Sequence, residues 1–182
     1  MPHTDLSTDS RLLADPVRLT AALVDIESVS GDETAITDAV AAVLAAAGHL
    51  TVERFGNTLV ARTSLGRSRR VVLAGHLDTV PVAGNLPSRV EGGLMYGCGT
   101  CDMKSGAALA LHLAATVPQP RFDLTYLFYD CEEVEAVRNG LFQLARTAPD
   151  RLTDADFAVL LEPTHGLIEA GGGSALGASL RG

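Results

Sequence analysis

The things this sequence lacks narrow its function before any motif is read. None of its apolar runs approaches the roughly 20 residues that a membrane-spanning helix requires. The opening MPHTDLSTDSR is polar and has no apolar h-region of a secretory signal. Cysteine is scarce: the 182 residues hold three, an odd number, and Cys98 and Cys101 share one short loop. A disulfide framework is therefore not expected, and a reducing cytoplasm is the expected compartment. Basic residues are outnumbered, with 14 Lys and Arg against 22 Asp and Glu, giving a formal net charge of −8. That balance argues against nucleic acid and anionic membranes as partners. Charged residues amount to only 20% and hydrophobic ones reach 47%. Such a chain is too apolar for disorder and long enough for one domain with a real core, or for part of a larger protein.

Along the chain, residues 1–14 read as a disordered arm. Asp15-Pro16 reads as an N-cap with proline at the first helical position. Leu19, Ala22, Leu23 and Ile26 then recur at helical spacing until Ser30-Gly31-Asp32 breaks the pattern. A second helix is expected from about Glu33 to Ala47, closed by Gly48. TVERF and TLVART, separated by Gly56-Asn57, read as a hairpin. From there the rhythm alternates: RRVVLAG, DLTYLFYD and DFAVLLE read as buried strands, SGAALALHLAA and AVRNGLFQLARTA as helices. Strands alternating with helices predict an open, mostly parallel α/β sheet with helices on both faces. Residues 172–182 form a tail of glycine and small residues.

Ligands of such sheets bind beyond the carboxyl ends of the strands. Each strand run delivers acid or histidine there. RRVVLAG leads to His76-Leu77-Asp78, DLTYLFYD to Glu132-Glu133, and DFAVLLE ends in Glu162. Asp102 stands just before SGAALALHLAA. Taken singly, each has an ordinary explanation as a loop histidine, a solvated turn or an N-cap. Their convergence on one edge is costly unless something neutralises them. Imidazole mixed with carboxylate suits zinc, cobalt or manganese. Asp78 is close enough to fix the His76 tautomer. The side chains of Glu132 and Glu133 diverge, so one can ligate while the other stays free as a base.

The runs AGHLDTVP, YGCGTCDMKSG, YDCEEVEA and LLEPT, in this order, resemble the M20 family of dinuclear zinc aminoacyl hydrolases. The resemblance covers about residues 12 to 171. EEVEA before Asn139-Gly140, and LEPT before IEAG, favour its actinobacterial desuccinylase branch. The resemblance implies a zinc aminopeptidase-like catalytic domain over 15–171, incomplete here. It implies two Zn2+ ions, with Co2+ an alternative, about 3.5–4 Å apart. His76 and Glu162 would bind one ion, Asp102 would bridge both, and Glu133 would bind the second. Glu132 would be the general base and Asp78 would orient His76. The implied reaction turns N-succinyl-LL-diaminopimelate and water into succinate and LL-diaminopimelate, on the route to lysine and cell-wall precursors. The implied partners are a small-molecule N-acyl amino acid and, in the full-length family, a second copy in a homodimer.

The CxxC pair remains to be placed. A zinc ribbon needs a second ligand pair, and neither Cys131 nor the histidines supply that spacing. A thioredoxin-like loop belongs to a different strand order. The cysteines are expected to be packing or loop residues and Asp102 to carry the chemistry. His165 is a substitute-ligand candidate. Lys104 and Arg138 are expected on helix surfaces, with contact to an acidic substrate as the alternative.

Family members are roughly twice this long. They insert a lid or dimerisation domain after the Glu162 strand, then return to supply a last histidine to the second zinc. They also run into a CQG-type strand where this chain reads GGSALGASLRG. A truncated product is the expectation, with an incomplete second metal site. The rival readings are another M20 deacylase or carboxypeptidase, such as an acetylornithine deacetylase, and a non-catalytic metal-binding remnant.

Overall fold

The computed structural model describes residue 6 and residues 9–169. The glycine-rich tail of 172–182, and His3 with most of the expected arm, lie outside the described residues. Five α-helices are described: α1 (Ser10–Leu13), α2 (Pro16–Val24), α3 (Thr34–Ala46), α4 (Ser105–Thr116) and α5 (Gly140–Thr147). The strands are β1 (Thr51–Phe55), β2 (Thr58–Arg62), β3 (Arg70–His76), β4 (Arg89–Glu91), β5 (Leu94–Tyr96), β6 (Asp123–Tyr129) and β7 (Phe157–Leu160).

One sheet carries five of them in the order β1-β2-β6-β3-β7. β1 and β2 form the expected antiparallel hairpin, and β2 pairs antiparallel with β6. β6, β3 and β7 run parallel, and these are the three strands that carry the acids and histidine. Side chains alternate across the sheet as its two-residue period requires. Leu59, Ala61, Tyr126 and Phe128 face α2, α3 and α4, while Val60, Val72, Ala74, Leu127 and Tyr129 face Leu141 and Leu144 of α5. The expected α/β sheet with helices on both faces is therefore present.

Local chemistry explains the helix ends. Asp15 accepts hydrogen bonds from Val17 N–H and Arg18 N–H at the start of α2, with Pro16 at the first helical position. α3 buries Ile36, Thr37, Val40, Val43 and Leu44, a stripe at three- and four-residue spacing. α4 buries four alanines and Leu111, and those short side chains let it lie close to α2 and the sheet.

Four expectations need correction. DFAVLLE, expected as a buried strand, forms β7 at the end of the strand order, with Phe157 and Leu160 exposed. The disordered arm includes an ordered turn: α1 is capped by Asp9, and Leu6 and Leu12 join the core. Each buried leucine supplies about 1.5–3 kcal/mol toward ordering that segment. His112 on α4 adds a ring-nitrogen contact of 2.7 Å to the Leu13 carbonyl. The helix expected across AVRNGLFQLARTA begins only at Gly140, because the Asn139 side chain accepts from Leu141 N–H and Phe142 N–H as its cap. The small hairpin of β4 and β5, turning at Gly92-Gly93, was not anticipated.

Candidate metal centre

Strand register brings the site together. Along β3, each residue from Arg70 to His76 pairs in parallel with one from Asp123 to Tyr129 on β6. On the other side Ala74 pairs with Leu160, and Leu161 N–H donates to the Ala74 carbonyl at 3.0 Å. Glu162, two residues beyond Leu160, therefore emerges level with His76. The loop after β6 carries Cys131-Glu132-Glu133 on the other flank.

His76 is 1% exposed and Asp78 is fully buried. The His76 Nδ1 edge lies 3.0 Å from the Asp78 carbonyl oxygen and 3.3 Å from Asp78 Oδ1. Its Nε2 lies 3.2 Å from Asp102 Oδ1. One ligand atom each from His76, Asp102 and Glu133 falls within 4.8 Å of the others. Glu162 stands beside Asp102, outside that tight group, and Glu132 is half-buried on the same loop as Glu133.

Asp78 does more than face the histidine. Its Oδ1 accepts Glu132 N–H at 3.0 Å, and its Oδ2 accepts Glu133 N–H at 3.1 Å and the Ser30 hydroxyl at 2.7 Å. One buried carboxylate thus ties the imidazole to the backbone of the Glu132-Glu133 loop. Burial pushes Asp78 upward, but His76 and these donors outweigh it and hold the carboxyl down at about 2.

The electrostatics single out this edge. Burial lowers His76, but its contact with Asp78 and the charges of Glu162 and Asp102 overcome that and raise it to about 9. Burial also raises Glu162 to about 7, reinforced by Asp102 and Glu132 against the pull of His76. Glu133 is raised by burial and then by the Asp102 charge. Carboxylates that push one another toward protonation mark a place short of positive charge. One imidazole with several carboxylates is a donor set that suits zinc, cobalt or manganese, so the residues present fit a divalent ion.

Asp102 reaches the centre from a kinked turn, Thr100–Lys104, in which Asp102 and Met103 leave helical backbone geometry. Lys104 anchors that turn, contrary to its expected place on a helix surface. It is 1% exposed and its Nζ donates to the Ile26 carbonyl at 2.7 Å, just past the C-terminal end of α2. Burial pulls Lys104 down to about 8. Ser30, whose hydroxyl holds Asp78, carries no sign of that role in the sequence, where its context signals only a helix break.

The cysteines do not form the centre. All three are free thiols; Cys98 and Cys131 are buried and Cys101 is exposed. Asp102, not the thiols beside it, faces His76. His165 is exposed and lies outside the group formed by His76, Asp102 and Glu133. Among the described residues no helix is long and apolar enough to cross a membrane.

The chain belongs to peptidase family M20/M25/M40, whose family model matches residues 72–171. It is 50% identical over 174 residues to the succinyl-diaminopimelate desuccinylase of Corynebacterium glutamicum, covering 93% of this chain and 47% of that protein. It is 58% identical over 161 residues to a Mycobacterium tuberculosis protein provisionally named succinyl-diaminopimelate desuccinylase DapE, covering 88% of this chain and 45% of that one. The chain thus spans about half the length of these relatives. In fold it matches a Staphylococcus aureus tripeptidase with a TM-score of 0.66 and 25% identity, covering 82% of this chain and 44% of that one. Human carnosine dipeptidase 1 shares the fold at a TM-score of 0.64 and 19% identity, covering 82% of this chain and 37% of that one. The family read from the four motifs is the family that matches.

Proposed function

We propose that this chain carries one part of a metal-dependent amide-hydrolysing centre, and that the protein built on it cleaves N-succinyl-LL-diaminopimelate to succinate and LL-diaminopimelate. The observation that carries the hydrolase reading is the convergence of His76, Asp102 and Glu133 in front of buried Asp78. The choice of substrate is supported by 50% identity to the Corynebacterium glutamicum desuccinylase across 93% of the chain.

In this reading His76 and Glu162 would hold one divalent ion and Glu133 a second, with Asp102 serving both. Bound ions of this type polarise the scissile carbonyl and make water a stronger acid. The rest falls to the protein. Asp78 holds the Nδ1 side of His76, which leaves Nε2 facing Asp102 as the ligand side. The same carboxylate fixes the backbone of Glu132 and Glu133, so base and ligand keep their spacing. Glu132, on the rim of the centre, takes a proton from the attacking water. It returns a proton to the departing amine as the C–N bond breaks.

The test is a substrate panel on the full-length protein that carries this chain. Succinate release from N-succinyl-LL-diaminopimelate is compared with turnover of N-acetylornithine and of small peptides, before and after chelation. We expect the succinylated substrate to lead, activity to vanish on chelation, and E132Q to abolish turnover while metal content stays intact. Preference for a peptide or an acetylated amine would overturn the substrate assignment. Full activity in E132Q would remove the proposed base.

A further inference from the structure

Glu33 stands at the start of α3, where a carboxylate ordinarily reaches into solvent or caps its own helix. It does neither. It makes no side-chain capping bond and is 1% exposed. Burying a carboxylate is costly unless donors repay it. Here Glu33 Oε1 accepts Gly31 N–H at 2.7 Å, Cys131 N–H at 3.3 Å and the Cys131 thiol at 3.4 Å. Two of those donors belong to a residue 98 positions away, in the loop that carries Glu132 and Glu133.

Cys131 is where that loop turns. Its φ is 56°, in the left-handed region that costs a residue with a side chain. The turn aims the next two N–H groups, of Glu132 and Glu133, at the two oxygens of Asp78. Arg138 closes over the same spot, its Nη2 lying 3.9 Å from Cys131 Sγ. A Cβ on Gly31, whose φ is +98°, would lie 2.8 Å from that Nη2, so only glycine leaves the guanidinium its place. Ligand atoms of Glu33, Asp130 and Cys131 lie within 4.8 Å of one another. That group nevertheless reads as a lock and not as an ion site. The thiol spends its hydrogen on Glu33, and Arg138 already brings positive charge.

We infer that Glu33 is a positioning residue for the metal centre, holding Cys131 in its turned conformation so that Glu132 and Glu133 present base and ligand at their proper places. This rests on the metal-site reading proposed above. Glu33 touches neither ion nor substrate and acts through Cys131.

The test uses the 182-residue chain, with cobalt titration followed by visible absorption, and hydrogen exchange of the ion-free protein. E33A should raise the cobalt Kd about 10–100-fold, the range expected when a group behind a ligand is lost. It should also speed exchange across residues 130–139 while β3 and β6 stay protected. E33Q keeps an oxygen for the same three donors and should stay within about threefold of the parent, the size of effect a retained neutral acceptor predicts. E33D retracts the carboxylate by one methylene, so it should weaken cobalt binding even if E33A fails to fold. D123N supplies the comparison for general destabilisation. Asp123 is also a buried carboxylate with three donors, Thr63 Oγ1, Leu65 N–H and Arg67 N–H, but it sits at the opposite end of β6. D123N should leave cobalt affinity unchanged. Parental affinity in both E33A and E33D, or equal losses in D123N, would overturn the inference. Absence of cobalt binding to the parent chain would instead sink the metal reading, and exchange across 130–139 would then decide alone whether Glu33 holds the loop.

Discussion

Ion binding to this centre should expel protons, and the structure sets how many. His76 must be neutral to ligate, yet in the ion-free site it is raised to about 9, so at pH 7 it gives up close to one proton. Glu162, at about 7, is half-protonated at that pH and gives up roughly half of one. Together they predict release of roughly 1.5 protons per ion at pH 7, falling to about one at pH 8. The apparent affinity should therefore rise about thirtyfold per pH unit near neutrality and about tenfold near pH 8. Calorimetric titration of cobalt into the chain, in two buffers of different ionisation enthalpy, measures the proton count directly. The ion-free fold should show the opposite trend. His76 is raised from 6.5 to about 9, so its stabilising contribution is complete below about pH 6.5 and fades as pH passes 9. Glu162, raised from 4.5 to about 7, contributes below about pH 4.5 and loses that contribution through pH 7. Raising the pH should thus weaken the empty centre while tightening the loaded one. Fewer than about 0.3 protons released, or an affinity flat from pH 6 to 8, would refute His76 as a ligand, since a protonated imidazole has no lone pair to give.

Two substitutions probe the framework behind the ligands. D78A strips a fully buried site of the carboxylate that serves the His76 imidazole, two N–H groups and the Ser30 hydroxyl. It should cost about 3–5 kcal/mol of stability in chemical denaturation, the range for leaving buried charged partners unpaired. A loss under about 1 kcal/mol would show that water replaces Asp78 freely. G106A places a methyl 2.3 Å from the Leu161 carbonyl oxygen, a backbone atom that cannot swing aside. The end of β7 must shift, which should cost about 1–3 kcal/mol and weaken ion binding by displacing Glu162. A lowered melting point with unchanged cobalt affinity would show that Glu162 plays no part in holding the ion.

The parts of this fold that could be read from sequence are those whose cause is local or periodic. β3 and β6 announce themselves as apolar runs because they lie inside the sheet, and β7 reads the same way although it ends the strand order and is half exposed. His76, Glu132, Glu133 and Glu162 follow from the rule that parallel strands deliver their chemistry at the carboxyl end. Asp15-Pro16 marks the start of α2 because a cap and its helix are adjacent in the chain. The unread features are set by partners far away. Lys104 lies in a stretch that looks like an exposed helix start, and only the carbonyl of Ile26, 78 positions earlier, explains its burial. AVRNG has the composition of a helix, but the chain from Cys131 onward is claimed by Asp78 and Glu33, so α5 cannot begin before Asn139 caps it. Glu33 itself looks like an ordinary helix-starting acid. Its burial is bought by a turn 98 residues away.

Those long-range claims share a direction. Ser28 Oγ reaches the Leu77 carbonyl, Ser30 N–H reaches that of Thr79, and the Ser30 hydroxyl reaches Asp78. Glu33 then reaches Cys131 in the next loop. The six residues from Ser28 to Glu33 therefore lace the end of β3 to the end of β6, just behind the ligands. This connection between α2 and α3 lies on no strand end and carries no ligand, so a search for chemistry along the sheet passes it by. The side chains of Ser28, Ser30 and Glu33 are spent on backbone and side-chain groups of the two loops that deliver His76, Asp78, Glu132 and Glu133. Preorganised ligand spacing requires such a second element, because two neighbouring strands fix where their loops begin but not where those loops go.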